Sequence, residues 1–431
     1  MLIDPKTSHI LCLNIHKKDP ERHNDAADVI ARLQIKNFAG GEIFYVTESI
    51  VENGEKKTEA RIRQIIKEKM ISVVFFAPNG DNYEMTPEFL RCLKAELKVK
   101  IVLWILDDEL IFDTYSKYYA QVVDAVVTTD YYATFAYQRL GIPALHFLSN
   151  FSQKDYYPVD VRRDIDVSYV GDCTKADRRE FLNYLKGNGV NVLAFGNGSE
   201  HGFVKKEDIS VVFSRSKVNL NFTKCNKPTV DVWYLEDNNL VNLINQQKGN
   251  PFEIALTKSF CLSEYWPSLG CAFEIGTDLD VFYDKDDLLK KVRYYLKNEE
   301  LRNKIANNAY EKTITVHDTD ISMPRLMNEL CNILNNSILR RQDKVIYKDV
   351  LFKKNHITKL TILMFFQVSK LKLMPAFETF SDFFQYGFII FMGSAFRGVK
   401  ISVLKFIAKL QKRQKLLLNK TFNESSQIDR R

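Results

Sequence analysis

The 431-residue chain has no CxxC, HxxxH or HExxH spacing among its seven cysteines and seven histidines. The common zinc and redox-pair patterns are therefore missing, and a dedicated metal site has no support. Cys12, Cys92, Cys173, Cys225, Cys261, Cys271 and Cys331 are scattered, several of them inside apolar runs. Free, buried thiols in a reducing cytoplasm are expected, not disulfides. The opening MLIDPKTSHILCLNIH shows no basic stretch followed by an apolar core and a small-residue cleavage site, so no secretory signal is expected. No apolar run reaches the ~20 residues that cross a bilayer. The best candidate, FFQYGFIIFMGSAF at 383–396, stops at 14 residues and carries Gln385 and Tyr386. No segment recurs at a fixed period, which sets aside repeat arrays.

What is present is globular in character, with 45% hydrophobic and 27% charged residues. The length exceeds one ordinary core, so two domains and an appendage are expected. The net charge of +7 hides an asymmetry. Residues 340–420 hold 17 Lys or Arg against 4 Asp or Glu, and residues 421–431 cancel, which leaves 1–339 at about −6. A mildly acidic body with a strongly basic tail suits an anionic surface. Nucleic acid is the poorer candidate, because no recognised binding module accompanies the charge.

From residue 8 to about 148, short apolar runs alternate with segments whose apolar residues recur at three- and four-residue steps. The runs are ILCLNI (10–15), EIFYV (42–46), ISVVFFA (71–77), KIVLWIL (100–106), DAVVTT (124–129) and ALHFL (144–148). Such alternation predicts a parallel sheet covered on both faces. FSQKDYYPVDVRRD, aperiodic and holding Pro158, predicts a connector. Alternation restarts at DVSYVG (166–171) and continues through NVLAFG, EDISVVFSRSK and VNLNFT to three closing helices. Residues 224–248 fit neither period and read as an insertion or loop. The expected divisions are 1–155, 156–340 and a tail, 341–431. Open parallel sheets bind ligands at the carboxyl ends of their strands, so a cleft between two such domains favours a ligand-handling protein.

DVSYVGD, KVNLNF, KGNPFEIALTKSFCLSEY and DVFYDKDDLLKKVRYYLKNEELRNKIANNAYEKTITVHD follow one another over 166–330. In order and spacing they resemble the C-terminal domain of GT-B glycosyltransferases. The likeness is to the spore-maturation (CgeB-like) group and its bacterial surface-polysaccharide relatives. VLWILDD followed by YAQVVDAVVTTDYYATFAYQRLGIPA is similar, more loosely, to that group's N-terminal domain. The resemblance implies an α/β chain of two facing Rossmann-like domains. A nucleotide-sugar donor would lie on the second, an acceptor would enter from the first, and neither a cofactor nor a metal is required.

On that resemblance Glu253 falls where an acid accepts hydrogen bonds from ribose hydroxyls; an ionised carboxylate can take two. Glu264 is counted with Glu253, Asp172, Phe252, Lys258 and Ser259 among the donor-binding candidates. The plainer reading is an acid at a helix N-terminus, with Glu264 at a strand end in solvent. The helix beginning near Phe252 would point backbone N–H groups at the donor pyrophosphate. Gly171, followed by Asp172, would let the backbone approach the phosphates, and Arg178 would either pair with them or lie on a solvated face. The family usually carries Arg at the position of Asn250 and a Gly-Gly pair at Lys258-Ser259. Asn250 lacks that fixed charge, and Lys258, Lys248 or Lys224 would have to supply it. Asp107 and Asp108 end the run KIVLWILDD where the cleft is expected. One of them is expected as the catalytic base or an acceptor-hydroxyl ligand, or else as the cap of the following turn. Asp130, His146 and His201 are weaker alternatives. The triplets DID (164–166), DLD (278–280) and DTD (318–320) mimic the metal-binding motif of the other large glycosyltransferase fold, which a GT-B site does not need.

In the tail, Val399, Val403, Phe406, Ile407 and Leu410 share one helical face, while Lys405, Lys409, Lys412 and Arg413 lie mostly elsewhere. A basic amphipathic helix of this kind lies on an anionic membrane, or else docks on its own body or a second subunit. KLTILMFFQVSKLKL (359–373) would supply a second contact. The expectation is a cytoplasmic glycosyltransferase, peripheral on the inner face of the cell membrane through residues 345–420. It would move a sugar from a nucleotide sugar to a glycan or lipid-linked glycan in cell-envelope polysaccharide or lipopolysaccharide synthesis. A catalytically inactive nucleotide- or glycan-binding protein and a sugar-nucleotide epimerase of the same fold are the competing readings.

Overall fold

The computed structural model describes residues 2–14, 26–78, 85–148, 151–225, 244–336, 349–382, 393–404 and 406–407. Strands β1 (His9–Asn14), β2 (Gly40–Tyr45), β3 (Ile71–Ala77), β4 (Lys100–Ile105), β5 (Ala125–Thr128) and β6 (Ala144–His146) form one parallel sheet, in the order β2-β1-β3-β4-β5-β6. Its strands are continuous apolar runs because both faces are covered. Leu11, Leu13, Val74 and Phe76 point into one cluster, and Ile10, Cys12, Val73 and Phe75 into another on the opposite face.

A second parallel sheet holds β7 (Ile165–Val170), β8 (Val192–Phe195), β9 (Ser216–Asn221), β10 (Cys261–Glu264) and β11 (Asp280–Phe282), in the order β11-β10-β9-β7-β8. In each sheet the first strand lies between the second and the third. The winding therefore reverses between β1 and β3 and again between β7 and β9, and a crevice opens there at the strands' carboxyl ends. Residues 15–25 and 79–84, which follow β1 and β3 in the chain, lie outside the described residues.

The helix Thr319–Asn336 leaves the second domain and packs on the first. Met323, Met327, Leu330 and Leu334 join Val73, Phe75 and Trp104 in one cluster. Asn335 clamps the segment that precedes β1: Ile3 N donates to its Oδ1 at 2.7 Å, and its Nδ2 donates to the Ile3 carbonyl at 2.8 Å. The opposite face receives the tail helix Val350–Ser369, through Phe352, Ile357, Leu360 and Leu363. A second tail helix, Leu373–Asp382, folds back beside it. Residues 350–363, expected in an appendage, thus contribute to the first domain's core. A short helix, Val46–Asn53, was not legible as one, because its Val, Thr, Ile and Val content favours a strand. Among the described residues no helix is long and apolar enough to cross a membrane.

Truncating Leu330, fully buried in the returning helix, tests that packing. Leu330→Ala is expected to cost about 2–5 kcal/mol of stability, read by urea unfolding followed through tryptophan fluorescence. A loss below about 1 kcal/mol would show that the helix does not hold the first domain.

Candidate active site

Where β7 ends, Gly171 N donates to the Phe195 carbonyl at 2.9 Å, which holds the loops after β7 and β8 together. Gly196 sits at φ +115, and a Cβ there would lie 2.1 Å from the Gly171 carbonyl oxygen. Only glycine fits that approach. A Cβ on Gly171 would meet the Tyr169 hydroxyl at 2.4 Å, so its small size is already required by a side chain of the protein. Asp172 Oδ1 accepts from Thr174 N at 2.9 Å and Thr174 Oγ1 at 2.6 Å, an Asx turn leading into the helix Ala176–Gly187.

Arg178, on that helix, is only 5% exposed. The solvated-face reading is therefore corrected. Its guanidinium donates to the Tyr169 hydroxyl at 2.8 Å, to the Asp172 carbonyl at 3.3 Å and to the Lys224 carbonyl at 3.2 Å. It thus spans the two sides of the β7/β9 crevice, while its buried Nε has no hydrogen-bond partner among the described residues. Burial, followed by the charges of Arg178 and Lys248, presses the Lys175 ammonium down to about 8. Asn250 Nδ2 donates to the Val170 carbonyl at 2.9 Å and fixes the start of the helix Asn250–Leu256 at the same strand end.

The facing wall comes from the first domain. Asp107, just past β4, accepts from Gln246 Nε2, which also reaches Glu109 Oε2 at 3.3 Å. Lys248 Nζ donates to the Gln246 side-chain oxygen. Burial and the charges of Asp130 and Asp107 hold the Glu109 carboxyl well above the usual carboxylate range. Burial raises Asp130 too, whose carboxylate caps the helix Tyr131–Arg139 through Tyr132 N at 2.9 Å. The segment read as an insertion leaves and returns as a short antiparallel ladder, Cys225 N to Ile244 O at 2.9 Å and Gln246 N to Thr223 O at 2.8 Å. Residues 226–243 of it lie outside the described residues. Cys225 and Ile244 pack into the first domain's core. Burial pushes the Cys225 thiol up to about 12, and it lies within electrostatic reach of Lys248 and Lys175 on one wall and of Glu109 and Asp107 on the other. The two walls therefore converge, one cationic and one anionic.

Several expected site residues have structural partners instead. Asp108 is corrected as a base. It is buried in the first domain, where its oxygens accept from Tyr137 at 2.9 and 3.0 Å and from Ser116, and burial lifts its carboxyl to about 6. Glu264 is not at a solvated strand end. It is buried and accepts from Thr223 N at 2.8 Å, Thr223 Oγ1 at 3.1 Å and Lys224 N at 3.3 Å, which fixes the stem of the ladder. Phe252 stacks on Phe151, ring centres 5.2 Å apart, inside a core cluster. Ser259 is buried and donates to the Thr257 carbonyl. Lys258 takes the left-handed conformation that a helix-ending glycine would adopt, and its ammonium stands 5.4 Å from the Tyr310 ring centre. It does not replace the missing charge at Asn250, at the helix's other end.

Glu253 accepts from the Tyr156 hydroxyl at 3.0 Å, in the interdomain connector, and burial lifts its carboxyl to about 7 against the Tyr156 bond and the Lys206 charge. His146 is occupied by the Thr129 carbonyl at 3.2 Å and lines a cavity of about 180 Å³ between the domains, with Phe252, His317 and Arg325. The triplet acids are engaged by the protein: Asp164 with Arg215, Asp166 with Lys217, Asp278 with Lys312, Asp280 with Lys291 and Asp320 with Lys154. Asp318 accepts from Gln153 N. Glu109 could have been suspected from its place beside Asp107 and Asp108. Gln246 carried no sequence signal.

Solved structures share the two-domain arrangement. Sucrose-phosphate synthase from Thermosynechococcus elongatus matches with a TM-score of 0.53 at 11% identity, over 76% of this chain and 99% of that one. Anabaena HepE in complex with UDP matches with a TM-score of 0.53 at 10% identity, over 76% and 100%. This is the GT-B fold. A glycosyltransferase from Rickettsia africae shares it, with a TM-score of 0.53 at 12% identity over 77% of this chain and 100% of that chain. Residues 176–328 match the family model described as glycosyl transferase-like. The matched stretch takes in Arg178, Asn250, Glu253 and Glu264 of the GT-B second domain. No curated protein matches the sequence.

The two neighbouring aspartates should separate in a GT-B variant pair. Asp108→Ala strands the buried Tyr137 and Ser116 hydroxyls and is expected to cost about 1–3 kcal/mol in urea unfolding. Asp107→Ala is expected to stay within about 0.5 kcal/mol of the parent. Equal losses would refute the division of roles.

Proposed function

We propose that this protein transfers a sugar from a nucleoside diphosphate sugar to a glycan acceptor. The observation that carries the reading is Arg178, a buried cation at the crevice of the second sheet whose Nε is unpaired among the described residues. Lys175 lies within electrostatic reach of both Arg178 and Lys248. The Asp172 carboxylate offsets part of this charge, and a diphosphate would meet the rest. Glu253 fits the ribose: it is half-buried and accepts from the Tyr156 hydroxyl, which two ribose hydroxyls would replace. In the transfer, the acceptor oxygen bonds to the anomeric carbon as the bond from that carbon to the diphosphate oxygen breaks. The leaving diphosphate keeps the electron pair, stabilised by the cationic wall. The acceptor proton passes to Asp107 on the facing wall.

The Anabaena HepE structures hold UDP and UDP-glucose, so UDP-sugars are the first donors to try. We place the protein with the spore-maturation group on its sequence pattern. We assign it to cell-envelope glycan synthesis on the cytoplasmic face of the membrane, with a lipid-linked acceptor that matches the basic tail. No metal is assigned to the reaction. A protein that binds the nucleotide without turnover is the competing reading, favoured by Asn250 spending its amide on Val170.

UDP-sugars should raise the thermal unfolding midpoint, in proportion to the logarithm of concentration over Kd, and Glu253→Ala should lose most of that shift. Nucleotide release should require an acceptor. Release without acceptor points to an epimerase or hydrolase, and binding without release to a binder. Ribose hydroxyls prefer the ionised Glu253, whose carboxyl titrates at about 7. Affinity for UDP should therefore fall as pH drops through 7, towards about tenfold per unit, and Glu253→Gln should flatten the profile. A flat profile in the parent protein overturns the ribose assignment.

A further inference from the structure

The tail hairpin has its polarity inside out. Gln367 is fully buried and donates to the Ile50 carbonyl at 3.2 Å, while its oxygen accepts from Thr379 Oγ1 at 2.9 Å. Glu378 accepts from Lys56 N at 3.1 Å, and Lys372 pairs with Glu52. These polar contacts fasten the hairpin to the helices Val46–Asn53 and Glu55–Glu68. Its outer surface is apolar. Leu371 is 83% exposed, Met374 78%, Phe377 69% and Leu373 66%, with Phe365, Phe366 and Val368 beside them.

The helical segment 393–404 repeats the arrangement. Gly398 packs on Thr361, and Thr358 donates to the Ser394 carbonyl, whereas Phe396, Val399, Val403 and Leu404 face out. Val399 and Val403, placed on the apolar face by sequence periodicity, are therefore not spent on the protein's own body; Leu410 lies outside the described residues. A surface helix in water keeps its polar face outward, and an apolar ridge of this extent marks a contact. Cations stand among the apolar groups: Lys370 lies 4.7 Å from the Phe366 ring centre, and Lys354 and Lys400 are exposed.

We propose that residues 365–380 form an insertion ridge for an anionic lipid surface, with segment 393–404 lying alongside. The apolar groups enter the acyl boundary, and the lysines stay at the level of the anionic headgroups. Charge selects lipid over a second copy of the chain, since apposing two surfaces from a tail with 13 surplus cations over 340–420 would set like charges together. This names the element behind the membrane placement above and rests on that placement, not on the transferase reading.

The test is sedimentation of the full chain with vesicles of phosphatidylcholine, with and without one quarter phosphatidylglycerol. The parent protein should pellet with the anionic vesicles, and raised salt should weaken the binding. Phe366→Ser/Leu373→Ser/Phe377→Ser should cut the pelleted fraction at least fivefold, and Lys370→Glu should remove much of the preference for phosphatidylglycerol. All four changed positions are exposed, so the unfolding midpoint and the shift with UDP should match the parent, and the shift with UDP reports separately on the donor reading. Equal pelleting by the triple variant overturns the proposal. So does a parent protein that ignores vesicles and forms a dimer by light scattering that the triple variant disperses.

Discussion

The guanidinium of Arg178 is the contact on which the binding end of the second domain depends. Arginine keeps its charge when buried, and removing an ion from water costs several kcal/mol unless the charge is met. Here it is met by two backbone carbonyls, one beyond β7 and one beyond β9, and by a phenol. Those are dipoles, and the Asp172 carboxylate adds a counter-charge only at electrostatic range. The fold thus organises its crevice around a positive charge that it only partly satisfies. Gly196 makes the same point through geometry, since the loops after β7 and β8 can touch only where no Cβ intervenes.

Gln246 explains how such a wall can face carboxylates without the cleft closing on itself. Lys248 set directly against Asp107 would form an ion pair and remove the charge a diphosphate needs. A primary amide offers donors on one side and an acceptor on the other. Its N–H groups donate to Asp107 and Glu109 while its oxygen accepts a hydrogen bond from the Lys248 ammonium. The two walls are linked, and each keeps its own sign.

The sheets were legible because strands buried on both faces are uninterrupted apolar runs: ISVVFFA became β3 residue for residue. The short helix Val46–Asn53 escaped because tertiary packing overrode its β-branched content. Around the site, Arg178 and Glu253 are singled out by the likeness of their surroundings to GT-B second domains, which no local periodicity supplies. Asp107 and Asp108 could not be told apart, since adjacent residues past a strand turn to different sides. Only the fold shows one meeting Gln246 and the other Tyr137. A partner 139 positions away, as Gln246 is from Asp107, leaves no local pattern to read.

The tail shows the limit of reading one helix at a time. KLTILMFFQVSKLKL is apolar throughout, and periodicity could not say which part meets the protein. Leu360 and Leu363 are buried on the first domain, whereas Phe365 and Phe366 are exposed. The turn at Leu371, in the left-handed region, brings the second helix back so that Met374 and Phe377 extend the same exposed surface. Because this surface is fastened to Val46–Asn53, it belongs to the first domain, the acceptor side in the proposed reaction. A lipid-linked acceptor and the lipid contact would then be carried by one domain. Donor binding on the other could change the cleft without detaching the protein from the surface that presents its acceptor.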